Sequence, residues 1–149
     1  MINKQAREIS GSMGHRISWD NPDKTVVLQE YTNDVCKDDL YGLARKSADM
    51  LNTVSQTVHL ILDERKCDLL LTPQDMIFLQ KLTPKNQGAV VLIVKPSNLL
   101  YKTAIQKLGQ QLAPEAFDQP YLADTIEAAR HFLQESFGVR YTAKSLEEH

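Results

Sequence analysis

The chain has 149 residues, 42% hydrophobic and 24% charged, which is enough for one buried core and too little for two ordinary domains. Seventeen Lys and Arg against nineteen Asp and Glu leave a formal charge of -2, which argues against a broad basic face for nucleic acid. No apolar run approaches the ~20 residues of a membrane span, and the N-terminus has no apolar signal core, so a soluble, cytoplasmic protein without a membrane span is expected.

Residues 1–15 are polar and small without a sustained period and read as a flexible leader. The next segments, Ile17-Ser18-Trp19 and Thr25–Tyr31, are β-branched and aromatic, and Asn21-Pro22-Asp23 between them is turn chemistry. They predict a hairpin. Leu40, Leu43, Ala44, Leu51 and Val54 then share one face of a 3.6-residue period, with Asp38 and Asp39 in the first turn. The spacing predicts an amphipathic helix of about five turns. Thr57–Leu62 is an apolar strand that ends at Asp63.

Thr72-Pro73-Gln74-Asp75 carries a hydroxyl cap, a proline at the first helical position and an acid in the first turn. The helix it opens turns Met76, Leu79 and Leu82 inward and stops before Pro84. Ala89–Val94 is the most apolar stretch of the chain and predicts a central strand covered on both faces. After the break at Lys95-Pro96-Ser97, Leu100, Ala104, Leu108 and Leu112 mark a third helix that ends at Pro114. A weak strand near Gln119–Leu122 leads to Asp124-Thr125-Ile126-Glu127, a start of capping-box type with Asp124 as the cap. Ile126, Ala129 and Leu133 face inward on the last helix, and Gly138 terminates it. Residues 139–149 read as a C-terminal tail. The order β-β-α-β-α-β-α-β-α predicts an α/β fold, with helices packed on a single mostly parallel sheet that opens in an antiparallel N-terminal hairpin.

The Ile-x-Trp opening strand, the strand ending in Asp63, the Pro-led second helix, the very apolar fourth strand and the closing Asp-Thr-Ile-Glu-Ala-Ala-Arg-x-Phe-Leu helix together resemble STAS-like domains. This is the fold of bacterial anti-sigma-factor antagonists, and the likeness is to its divergent stand-alone bacterial branch over residues 16–138. The resemblance implies a non-enzymatic regulatory or protein-interaction module, often controlled by a partner protein. One departure is plain. Phosphorylated antagonists carry an Asp-Ser pair at the start of the second helix, whereas Asp63–Pro73 here holds no serine and Thr72 supplies the only hydroxyl.

Asp63, Thr72, Lys95 and Ser97 are the candidate regulatory or ligand-site residues. Asp63 and Lys95 stand at the carboxyl ends of successive strands, where open α/β sheets bind ligands. A strand-end Asp that caps nearby amides is the simpler expectation. Thr72 competes between a helix cap and a phosphoacceptor on the helix dipole. Ser97-Asn98 gives the third helix a polar start, with Lys95 and Lys102 nearby, but no glycine-rich loop accompanies it. His15, His59, His131 and His149 do not cluster, and His59 alternates within a strand as a packed histidine does. Cys36 and Cys67 lack metal spacing and read as two reduced thiols. No nucleophile–base motif is visible, so no catalytic residue, metal or cofactor is expected.

The fold class also resembles lipid-transfer domains of the CRAL-TRIO type, which makes a small-molecule or lipid-binding domain the alternative, with an enzyme of unrecognised type behind it. A pocket lined by the apolar sheet would favour the binding domain, but the sequence looks too compact to spare the side chains for one. Ile17 and Trp19 on an edge strand further suggest a homodimer through the hairpin or the adjoining helix faces, with Val139-Arg140-Tyr141 as the intramolecular alternative cover.

Overall fold

Alternating strand-length and helix-length apolar patterns give an alternating structure. The computed structural model describes residues 15–32, 37–67, 70–117 and 120–141. Its elements run β1 (His15–Trp19), β2 (Val26–Tyr31), α1 (Lys37–Leu51), β3 (Val58–Asp63), α2 (Pro73–Leu82), β4 (Gln87–Ile93), α3 (Leu99–Leu112), β5 (Pro120–Ala123) and α4 (Ile126–Phe137). One five-stranded sheet has the order β1-β2-β3-β4-β5, with β1 antiparallel to β2 and every other pair parallel. The predicted fold class is the observed one. Residues 1–14, 142–149 and Cys36 lie outside the described residues, and with them most of the expected leader and tail.

Consecutive strand order fixes where the helices go. A right-handed crossover that always steps the same way along a sheet always lands on the same face. Accordingly α1, α2 and α3 form one layer, and the side chains beneath them are Val27, Leu60, Val90 and Leu92. The alternate residues Val26, Leu28, Ile61, Val91 and Ile93 point the other way and are covered by Ala129 and Leu133 of α4. β2, β3 and β4 are thus apolar on both faces, as the continuous run at Ala89–Val94 implies.

Local starts and stops mostly follow the expected chemistry. α2 begins in a full capping box: Asp75 N–H donates to Thr72 Oγ1 at 3.2 Å, and Thr72 N–H donates back to Asp75 Oδ2 at 2.9 Å. α4 ends at Gly138, whose φ of 69° is the left-handed conformation that glycine adopts without strain. Three details differ. The cap of α4 is Thr125, not Asp124, because the Thr125 hydroxyl is the group that accepts Ala128 N–H, at 2.9 Å. α1 spans 15 residues, about four turns rather than five, and Val54 lies beyond it. A 3-10 turn at Pro96–Asn98 precedes α3, which begins without a side-chain cap bond from Ser97 or Asn98.

The packing of the domain continues past Gly138. Val139 is buried in the α4 core, and Asn21 Nδ2 in the β1–β2 turn donates to the Arg140 carbonyl at 3.0 Å. The same Asn21 accepts Thr25 and Val26 N–H at 3.0 and 3.1 Å, so one side chain organises the turn and holds the C-terminal segment to it. Arg130 of α4 grips Asp20 with two bonds of 3.0 and 2.7 Å. On the opposite face Trp19 is half-buried against the core under α1, with Lys24 over its ring. Ile17 and Trp19 of the edge strand β1 are thus half-buried against the core.

Candidate functional site

Small side chains on α1 leave space between the helical layer and the sheet. Ala44, Ser47 and Ala48 face inward where larger residues would fill the gap, and Ala116 does the same beyond α3. The result is a cavity of about 110 Å³ floored by Leu60, Leu62, Val90 and Leu92 and walled by Leu79, Ile105 and Phe117. The chamber is partly open to solvent, and Leu79, Leu82 and Ile105 at its wall are half-buried.

Polar groups sit along one part of this apolar chamber. Glu64 follows the last residue of β3, and its carboxylate meets Lys102 Nζ of α3 at 2.6 Å, with both side chains almost wholly buried. Burial pushes the Glu64 carboxyl above its ordinary range, Lys102 pulls it back, and the neighbouring Asp63 charge adds to the rise. Burying an ion pair gains little stability over an apolar pair of the same shape, because desolvation offsets the attraction. Gln29, Tyr31, Ser47 and Gln106 also line the cavity. Burial first, and the Glu64 charge second, raise the Tyr31 hydroxyl well above its usual value, so it stays protonated. Gln106 is 8% exposed, and its Oε1 has no hydrogen-bond partner.

α3 presents different chemistry on its two sides. Lys102, Ile105, Gln106 and Gly109 recur at helical spacing and form its inner stripe. A Cβ at Gly109 would lie 2.5 Å from the Phe117 ring, so glycine is what lets the helix settle onto that ring. The leucines that mark α3 in the sequence point outward instead. Leu100 is 86% exposed, and Tyr101, Leu108 and Leu112 are exposed with it. On the same side of the sheet, exposed Leu122 of β5 extends the apolar surface.

None of Asp63, Thr72, Lys95 and Ser97 lines the cavity. Asp63 lies on the opposite sheet face and accepts Arg65 N–H at 3.1 Å and two guanidinium bonds at 3.0 and 2.8 Å. Burial would raise its carboxyl, but these bonds outweigh burial and hold it below the usual range. Thr72 is the cap of α2, Ser97 is exposed in the 3-10 turn, and Lys95 is half-buried after β4. Lys102 turns inward to Glu64 and away from the expected anion site at Ser97. A crevice at strand ends forms where successive crossovers part to opposite faces, and this consecutive order has no such point. The signal for the real chamber lay one residue away, at Glu64 beside Asp63, and at a glycine inside a helix, which marks close approach.

His59 is a packed histidine, as its alternation predicts. Its Nδ1 accepts Ala89 N–H at 2.9 Å, its ring stacks on Phe137 at 4.8 Å, and burial lowers its pKa. Cys67 is a buried thiol whose Sγ–H donates to the Glu64 carbonyl at 3.9 Å. Among the described residues no group of three His, Cys, Asp or Glu could hold a metal ion, and no helix is long and apolar enough to cross a membrane.

Comparison with known proteins adds no relative: no family model, no curated protein and no solved structure matches the chain.

Proposed function

We propose that this chain is a non-enzymatic regulatory module of the STAS-like kind, working in the cytoplasm, that takes up a small molecule and reports it to a partner protein through α3. The observation that carries the reading is the two-sidedness of α3. One helix lines an apolar chamber with Lys102 and Gln106 and offers Leu100 and Leu108 to the outside, so occupancy within and contact without act on the same rigid body. The element order and the Thr72-capped second helix support the STAS-like part. The chamber's apolar lining and its ion-paired carboxylate favour binding over bond-breaking. Thr72 serves as the cap of α2.

With Lys102 turned inward, Lys107 is the exposed charge of α3, which holds no acid, so the partner that fits its outer face is apolar with an acidic group at the rim. Replacing both Leu100 and Leu108 by Glu should leave the melting transition within ~0.5 kcal/mol of wild type, because both side chains are exposed. Affinity-tagged chains recovered from the native cells should lose an acidic partner with this double variant. The cavity-filling Ala48→Leu should alter the partner's affinity without touching its surface. A partner indifferent to both changes would remove the reading.

A further inference from the structure

The chamber's own chemistry specifies its occupant. The Glu64–Lys102 pair is already neutral and sealed from water, so a third charge beside it would stand uncompensated in an apolar surround. A charged ligand head is therefore disfavoured in either sign. Gln106 Oε1 is an acceptor held in the same chamber without a donor, and a buried acceptor that lacks its bond is satisfied by any ligand N–H or O–H that reaches it. The rest of the lining is hydrocarbon from the sheet floor, α2 and Ile105. Size sets the remaining limit. An apolar cavity of ~150 Å³ accepts benzene, so one of about 110 Å³ takes a molecule of roughly four to six non-hydrogen atoms.

We infer that the cavity binds a short, uncharged amphiphile, an alcohol or primary amide on a chain of about four carbons, with its donor on Gln106 Oε1 and its tail over Leu60 and Val90. This rests on the reading of the chamber as a ligand site and adds the class of molecule it takes. An anionic or cationic head of the same length is disfavoured by the ion pair.

The test uses the full chain and four isosteric probes, n-butanol, butanamide, butanoate and n-butylammonium, titrated at neutral pH and followed by amide and methyl NMR. Butanol and butanamide should move the Gln106 side-chain amide and the methyls of Leu60 and Val90 in a saturable way. Butanoate and butylammonium should bind at least about tenfold more weakly. Gln106→Leu, which keeps the volume and removes the acceptor, should cut the affinity for butanol by about tenfold. Ala48→Leu should block both neutral probes while the chain remains folded. If a charged probe binds as well as the neutral pair, or Gln106→Leu leaves butanol binding intact, the ligand class is wrong while the chamber still stands as a site. If no probe saturates and Ala48→Leu changes nothing, the chamber is not a ligand site, and the proposed function falls with this inference.

Discussion

Between Val58 and Leu60 the ladder from β3 to β4 slips in register, and a side chain repairs the break. His59 Nδ1 takes the Ala89 N–H that the slipped ladder offers, at 2.9 Å, and Gly88 makes room, since a Cβ there would come within 2.6 Å of the imidazole. Only the neutral ring can accept. Burial already lowers the His59 pKa below its ordinary 6.5, so the unfolded chain takes up the proton first as pH falls. The contribution of His59 is complete above pH 6.5 and is lost as pH drops through the depressed folded value. Denaturant titrations at about pH 7.5 and about pH 5.5 should show wild type losing stability that His59→Gln, an untitratable acceptor, does not lose. The sequence showed the packed character of His59 through its alternation. Its partner depends on a slip in register that no spacing reveals.

At the scale of elements, α2 was legible nearly to the residue because its start is written in local chemistry, Thr72, Pro73 and Asp75 within four positions. The further role of Asp75 was not local. Its Oδ1 also accepts the Tyr41 hydroxyl of α1 at 2.7 Å, which ties two helices of the layer together above the sheet. Thr72→Ala should therefore cost about 1 kcal/mol, the usual worth of a cap. Asp75→Ala should cost more than Thr72→Ala, because it also removes the bond to Tyr41 and empties a buried position. Equal losses in equilibrium unfolding would show that Asp75 does no more than cap. α3 misleads for the opposite reason. Its leucines give the strongest period, yet Gly109 on Phe117 and Lys102 on Glu64 turn that period outward. Periodicity announces that a helix forms, and burial then depends on which stripe the neighbours can accommodate.

At the scale of the molecule, element order and class followed from alternation alone, whereas the chamber did not. It arises where three helices fail to fill the space above a sheet, and that is a property of their mutual distances. The C-terminal boundary was likewise blurred, since Val139-Arg140-Tyr141 is too short to show a period, although Val139 is 8% exposed and Arg140 is bound to the first turn. A chain ending at Gly138 should lose about 2–3 kcal/mol of unfolding free energy, from the buried Val139 side chain and the bonds around Asn21 and Asp23. A chain ending at Tyr141 should recover it. Equal stability of the two would show that this segment only rests on the surface.

The consecutive strand order also sets a timetable. As the chain is synthesised, each new strand brings its own helix, and α1, α2 and α3 close over one side of the sheet in step with its growth. Among the described residues the other side is covered by α4 and the Val139–Tyr141 segment behind it, and both are made after all five strands. Until they arrive, Val26, Leu28, Ile61, Val91 and Ile93 form an open apolar sheet wide enough to associate with another nascent chain. The interval before α4 docks is the part of this protein's life in which a holding chaperone has most to protect.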